Sequence, residues 1–560
     1  MNRSPLVRTL AAAFGAALLV AAAACGGQSG GGGSSGSGTS TVAIVNASGA
    51  LWTCDFNPYS PSPGQAAGVI WEPLTYINSL TGKEKPWLGT SYKWSSDGKT
   101  LTYTTREGVK WSDGKPFTAK DVAYTFNLGK NNEALDTYAL WSEGVLDSVT
   151  ADNDTTVTFK FKRVSTSSFF YIADQTWILP EHVWSKIKDP VKTAVKKPVG
   201  TGPYTIGSCT PQAITYTKNS GYWQKGKPKV DKILYPAFVD NQPANLYLSQ
   251  GKGDWGGQFI PNIDNYWVKK DKAHRVYWYP PAGNVYVGIN SAKPYLKDKR
   301  VRQALAYAID REKVSKDAMY SYQPPANQAG IATPTYQNWL DQAAVDKYNY
   351  GFDPAKMASK LQAAGFTKGA DGMFKTPDGK PFKLSLINNG GFTDWVAAVQ
   401  VIAASFKKAG VEIETLNLNG NEYNRRLSQG QFELAYMSAN QGPTPYYELR
   451  DVLYGAYAKP IGTDTSRNYE RWKDKATDDL IRKYDTLLNE KDQIAVVKQI
   501  EAKLLEDVPV IPVTQSVSWS QTDTTRFTNW PTKDNPYANP APYAQPDWAI
   551  VLLNLEPKKK

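Results

Sequence analysis

The chain has 560 residues, and since single hydrophobic cores stop growing near about 250–300 residues, at least two lobes are expected. Hydrophobic content of 41%, charged content of 21% and a mean hydropathy of −0.47 exclude a membrane channel and a disordered chain. Two histidines, His182 and His274, argue against His-based metal centres and Ser-His-Asp chemistry; the formal net charge of +12 is interspersed with acids, apart from Lys558-Lys559-Lys560, as on a solvated basic surface rather than a nucleic-acid track.

At the N-terminus, Arg3 and Arg8 precede an uncharged apolar stretch, residues 10–24. It is shorter than the roughly 20 residues a spanning helix needs and reads as a secretory signal. It ends in Ala22-Ala23-Ala24-Cys25-Gly26, small residues before a Cys, which resembles a bacterial lipobox. A lipid-anchored Cys25 is therefore expected, with residues 1–25 as lipoprotein signal peptide. Residues 26–40 are almost entirely Gly and Ser, a composition that buries too little to fold and acts as a tether. The remaining cysteines, Cys54 and Cys209, either pair in an oxidising compartment or stay as two buried thiols.

From Thr41 onward, strands and helices alternate without a repeat. Asp113-Gly114 marks a turn, and Thr118 with Asp121 makes a capping-box start for a helix through Val122 and Phe126. Val157, Phe159 and Phe161 alternate with polar residues as a strand. Asp298 caps a helix whose apolar stripe is Val301, Leu305, Ala308 and Ile309, and Trp395, Val399, Ile402 and Phe406 form another. Gly410 stops the second helix, residues 411–415 lead out as a strand, and residues 432–437 form a further one. Leu480, Tyr484, Leu487 and Leu488 mark a late helix. The last fifty residues, rich in Pro, Trp and Asn, lack helical periodicity and are expected to return to the first lobe.

Several of these segments resemble one family. The run from Trp94-Ser95-Ser96-Asp97-Gly98-Lys99 through Arg106-Glu107-Gly108-Val109-Lys110-Trp111-Ser112-Asp113-Gly114-Lys115-Pro116-Phe117-Thr118-Ala119-Lys120-Asp121-Val122 carries the strongest likeness. Gly200-Thr201-Gly202-Pro203-Tyr204, Arg300-Val301-Arg302-Gln303-Ala304-Leu305 with Ala308-Ile309-Asp310-Arg311, and Phe352-Asp353-Pro354 with Ala363-Ala364-Gly365-Phe366 agree with it. They resemble the family 5 solute-binding proteins of ABC importers, which bind oligopeptides, nickel or cello-oligosaccharides. The resemblance implies an α/β, two-lobed periplasmic-binding-protein-like fold of the large class II, with an extra subdomain in the N-terminal lobe and a hinge. Lobe I would span 41–285, with its subdomain near 73–199, lobe II 286–513, and residues 514–560 would return to lobe I. It also implies ABC permease and ATPase subunits as partners, a monomer anchored to the outer face of the cell membrane, no cofactor and no turnover. The signature residues themselves read as scaffold, because Asp97-Gly98 and Asp113-Gly114 are turn dipeptides.

In the peptide-binding relatives, an aspartate after a lobe II strand holds the ligand's ammonium. The matching stretch here, Ala435 to Tyr447, has no acid before Glu448 and offers Asn440 and Gln441 instead, groups that suit neutral hydroxyls. Gly442-Pro443-Thr444-Pro445-Tyr446-Tyr447 with Arg450, Trp530-Pro531-Thr532-Lys533-Asp534-Asn535-Pro536-Tyr537-Ala538, and Gly253-Asp254-Trp255-Gly256 with Phe259-Ile260-Pro261-Asn262 resemble the cello-oligosaccharide branch. The 18 Trp and 33 Tyr fit that class, since a sugar ring has apolar C–H faces and a hydroxyl edge. Trp52, Trp255 and Trp395 are candidate stacking platforms, although each competes with a core position. Asp254, Asn388, Asn440, Gln441, Tyr446 and Arg450 are candidate ligand contacts. An oligopeptide is the alternative ligand. A glycosidase would need two carboxylates about 5–10 Å apart, and no local catalytic motif surrounds Asp254 or Asp394.

Overall fold

The computed structural model describes residues 39–47, 49–60 and 63–559. The signal segment, Cys25 and the Gly/Ser tract up to residue 38 lie outside the described residues. Ser40–Lys560 form one unit built around two large sheets and a smaller one.

A seven-stranded mixed sheet has the first strand, Thr41–Ala47, near its centre, parallel to Lys232–Phe238 on one side and to Trp255–Gly256 on the other. The strand pattern Val42, Ala43, Ile44, Val45 is buried on both faces, as expected for a strand covered on both sides. Ala213–Lys218 and Tyr204–Thr210 extend one edge; Gln521–Asp523 and Arg275–Tyr277 extend the other. A disulfide joins Cys54 to Cys209, with Cα atoms 5.8 Å apart, and ties the segment after the first strand to the edge strand Tyr204–Thr210.

The second sheet has five strands in the order Glu412–Leu418, Lys383–Asn389, Leu434–Ser438, Pro281–Ile289 and Val510–Val517. Its first three strands are parallel, while Pro281–Ile289 runs antiparallel to both neighbours. The helix Thr393–Ala409 packs on this sheet and ends at Gly410, whose φ of 96° is the left-handed conformation that glycine adopts without strain. A third, antiparallel sheet of Gly89–Trp94, Thr100–Thr105, Thr156–Phe161 and Leu146–Ala151 is flanked by the helix Ala119–Asn131. That helix starts at Thr118, where Thr118 and Asp121 form a reciprocal capping box.

Two glycines of the recognised signature have a steric reason. A Cβ on Gly200 would lie 1.9 Å from the Ile70 carbonyl oxygen, and one on Gly202 would lie 2.3 Å from that of Val69. Two expectations need correction. Leu487 and Leu488 lie beyond the helix Lys475–Asp485, which is capped at Thr486, and Leu488 is exposed. The C-terminal residues do contain a helix, Asp547–Asn554. Its seven residues from Asp547 to Leu553 are all buried, so no polar face exists to produce a periodic pattern.

The chain passes between the two large sheets at residues 278–280 and again at 518–520. These crossovers are bonded to one another: Trp278 N–H donates to Ser520 O at 3.2 Å and Ser518 N–H to Pro280 O at 2.9 Å. The two sheet bodies also meet directly, where Asn241 N–H donates to Gly391 O and Gly420 N–H to Gly49 O, each at 3.0 Å.

Candidate ligand-binding site

A cavity of about 760 Å³ lies between the sheet bodies, within the range of roughly 300–1,000 Å³ that encloses a small organic ligand. Asn46, Gln258 and Phe259 line it from the seven-stranded side, and Phe392, Asp394, Trp395, Asn440 and Gln441 from the five-stranded side. Trp278 and Trp519 enter from the two crossovers, and Asn539, Tyr543, Gln545 and Asp547 from the C-terminal segment.

Three tryptophans in this wall, Trp278, Trp395 and Trp519, are half-buried. Edge-to-face contacts hold two of them in place. Trp519 sits 4.9 Å from Tyr279 and 5.6 Å from Phe259, and Trp395 sits 5.1 Å from Tyr436 and 5.3 Å from Phe392. Trp395 is in the first turn of the helix Thr393–Ala409, with Ala398, Val399, Ile402 and Phe406 buried behind it.

Among the described residues, four carboxyls also reach the cavity wall, and each already accepts hydrogen bonds from the protein. Glu448 accepts from Asn284 N–H at 2.7 Å and Tyr286 Oη at 2.9 Å. Asp547 accepts from Tyr76 Oη and Asn539 N–H, each at 2.7 Å. Asp174 accepts from Ile77 N–H at 2.8 Å and Gln175 Nε2 at 2.6 Å, and Asp394 from Asn241 Nδ2 at 3.3 Å. Burial disfavours the charged form in every case. It raises Asp394 and Glu448 to about 7 and Asp547 to about 6, and it raises Asp174 well above the ordinary carboxyl range. The one basic side chain at the wall among the described residues, Lys533, is solvent-exposed.

Of the residues expected from sequence, Trp395, Asn440 and Gln441 meet at this cavity. Asn440 is held by Asp451, which accepts from its backbone N–H at 2.9 Å and from its Nδ2 at 3.1 Å. The others lie elsewhere, each for a packing reason. Trp255 is fully buried in a two-residue central strand; its Nε1 donates to Pro540 O at 2.7 Å and its ring meets Trp530 edge-on. Asp254 is buried too, accepting from Ala43 N–H at 2.7 Å and Arg526 Nε at 2.8 Å. Trp52 is 9% exposed, donates to Tyr235 O at 3.0 Å and borders a second, smaller cavity. Tyr446 is fully buried and stacked on Tyr484 at 3.6 Å, with its hydroxyl donating to Asp485. Arg450 is buried among the rings of Tyr171, Tyr454 and Tyr457, at 5.2–5.3 Å, with Nε and Nη1 unpartnered among the described residues. Asn388 is fully buried in its strand with neither amide atom partnered among the described residues.

Sequence reading missed Trp278 and Trp519. A signal was present in Tyr277-Trp278-Tyr279-Pro280-Pro281, where aromatic residues run into two prolines between strands. The histidines sit apart from the cavity: His182 pairs with Asp113 at 2.7 Å and His274 with Asp271 at 2.9 Å. No described helix is long and apolar enough to cross a membrane.

The likeness to known proteins extends over most of the chain. A solved structure of a mannohexaose-bound periplasmic oligopeptide-binding protein of an ABC transporter from Thermotoga maritima superposes with a TM-score of 0.87. It is 28% identical and covers 93% of this chain and 99% of its own. The oligopeptide-binding protein OppA of Bacillus subtilis is 28% identical, covering 81% of this chain and 85% of that protein. The nickel-binding periplasmic protein of Escherichia coli is 25% identical over 68% of this chain and 72% of that protein. The model of the bacterial extracellular solute-binding proteins, family 5, matches residues 83–459. With its two-lobed α/β architecture and a cavity between the sheet bodies, the chain belongs to that family, the solute-binding components of ABC importers.

Proposed function

We propose that this protein captures a neutral β-linked oligosaccharide, cellobiose or a longer gluco- or manno-oligomer, and delivers it to an ABC permease and its ATPase subunits. The observation that carries this reading is the cavity wall, where three half-buried tryptophans stand among neutral amides. Flat aromatic faces take the C–H faces of pyranose rings, while Asn46, Asn440 and Gln441 offer amide groups to hydroxyls. A solved relative, 28% identical, is described as mannohexaose-bound, which adds support.

A ligand that touches Trp395 on one body and Trp278 and Trp519 on the crossovers binds the closed arrangement better and shifts the population toward it. In this reading lobe I spans 41–285 and lobe II 286–513, with 514–560 returning to lobe I. Cys25 carries the lipid that holds the protein at the membrane's outer face as a monomer. Neither lobe performs chemistry on the ligand.

An oligopeptide is the second reading, favoured by the peptide-binding description of OppA. Titration calorimetry separates the two, with cello-, xylo- and manno-oligosaccharides in one panel and di- to pentapeptides in the other. Heat from a sugar with none from peptides is the expected result. Micromolar peptide binding with silent sugars would replace the oligosaccharide reading with the peptide one.

A further inference from the structure

The main cavity lies at one end of the seven-stranded sheet, and the chain enters that sheet at the other. Asn46 and Ala47, which close the strand Thr41–Ala47, line the cavity, as do Gln258 and Trp278 just beyond the ends of two neighbouring strands. Ser40 stands before the opposite end of Thr41–Ala47, where its N–H and its hydroxyl each donate to Asp231 at 2.9 Å. A strand of seven residues sets the two ends about 20 Å apart, at roughly 3.3 Å per residue.

Sheet register gathers lysines at the Ser40 end. Lys232 pairs with Thr41 on one side and Thr217 on the other, which puts the preceding connection, with Lys225 and Lys229, at this end. Lys252 precedes the strand Trp255–Gly256, and Lys269, Lys270 and Lys272 lead into Arg275–Tyr277. Lys558 and Lys559 follow Pro557, and Lys558 N–H donates to Arg526 O at 2.9 Å. All of these lysines are exposed. The acids beside them are already engaged. Asp231 is held by Ser40, Asp271 pairs with His274 and Glu556 with Lys229, while Asp254 and Asp523 are buried against Arg526 and Arg275. Of these lysines, only Lys229 forms an ion pair among the described residues. The cavity end has the reverse character, with Lys533 its one basic side chain among the described residues.

We infer that the Ser40 end is a docking face for an anionic lipid bilayer, which holds the body with its cavity turned away from the membrane and toward the arriving ligand. Unpaired lysines take up any anionic surface. The covalent route from Cys25 enters at this end, so the surface at the highest effective concentration is the membrane that holds the lipid. The inference rests on the Cys25 anchor proposed above. Delivery to the permease then requires the body to lift from this face.

The test places the lipidated protein on vesicles of phosphatidylcholine, alone or mixed with phosphatidylglycerol. Short pulses of an amine-acylating reagent, read by peptide mass spectrometry, report the exposure of each lysine. On mixed vesicles at low salt, Lys252, Lys270 and Lys558 should react several-fold more slowly than on neutral ones. Lys347 and Lys375, exposed on the body of the five-stranded sheet, should react equally on both. High salt should erase the difference. A lysine near an anionic surface contributes about fivefold in partitioning, so Lys252→Glu, Lys269→Glu and Lys270→Glu together should remove the protection of Lys558 and leave ligand affinity in solution unchanged. Equal reactivity on both vesicles, or protection as strong at Lys347, would overturn the docking face. Loss of the protein from neutral vesicles would overturn the anchor alone if mixed vesicles still retain it with the same lysines protected, and loss from both would overturn anchor and face together.

Discussion

Asp394→Asn should stabilise this protein at neutral and alkaline pH and lose that advantage in acid. Asp394 is 3% exposed in the first turn of the helix Thr393–Ala409, and burial raises its carboxyl from the ordinary 3.8 to about 7. The unfolded chain releases this proton near 3.8 and the folded chain only near 7. Across that window the folded state holds the extra proton, so stability falls as pH rises. The interval corresponds to roughly 4 kcal/mol once both forms are ionised. With an unfolding entropy of about 2.1 cal/mol/K per residue, a domain of this length has roughly 1 kcal/mol/K, which turns the penalty into about 4 °C. An amide carries no such penalty, and its N–H can donate to Asn241 Oδ1, which lacks a partner among the described residues. Differential scanning fluorimetry between pH 4 and 8 reads the result. The variant's lead in melting midpoint should grow from near zero at pH 4 to about 4 °C at pH 8. A lead that stays constant with pH, or shrinks as pH rises, would refute a buried carboxyl that holds its proton.

Four other outcomes are expected. Trp395→Ala and Trp519→Ala should each weaken oligosaccharide binding by about 1–3 kcal/mol, ten- to hundredfold in Kd by calorimetry, through loss of a stacking face; unchanged affinity would remove that tryptophan from the site. Alkylation without reductant should leave Cys54 and Cys209 unlabelled by intact mass. Cys209→Ser should lower the melting midpoint, since cross-linking residues 155 apart restricts the unfolded chain by roughly 5 kcal/mol on the loop-closure model. Cys25→Ala should abolish lipidation, read as loss of detergent-phase partitioning of the cell-expressed protein.

The fold was legible because its signals are local or shared with relatives. Thr118 and Asp121 cap a helix through their own spacing, and Gly410 ends another through its own backbone. The site was legible only where the chain itself separates cleft from core. Asn440 and Gln441 follow a strand end, and Trp395 opens a helix, positions that open onto a cleft between sheets. Trp255 and Asp254 looked equally polar-aromatic in sequence, but a crossing with Pro540, Trp530 and Arg526, remote in the chain, buries them. Trp278 and Trp519 become cleft residues because two distant segments pair as crossovers between the sheets, a relation that no local pattern encodes.

The sequence argument against a peptide, the missing acid before Glu448, changes form in three dimensions without losing force. Acids do reach the cavity, brought from four distant parts of the chain as Asp174, Asp394, Glu448 and Asp547. What decides their use is their state rather than their presence. An ammonium group needs an ionised carboxylate with a free lone pair nearby. Here Asp547 accepts both of its donors on Oδ1 and Glu448 accepts its donors on Oε1, while burial raises Asp394 and Glu448 to about 7, Asp547 to about 6 and Asp174 well above the usual carboxyl range. Near neutral pH, binding a cation would draw protons from those of the carboxyls that still hold one and keep the resulting charge away from water, an expense set against the gain of the ion pair. A sugar requires neither step. A carboxyl that retains its proton donates to a hydroxyl, and the amides and indoles around it need no change of charge at all. The four acids would therefore make the binding of a cationic peptide terminus proton-linked in a way that a neutral oligosaccharide's binding need not be, and this difference supports the proposed oligosaccharide reading.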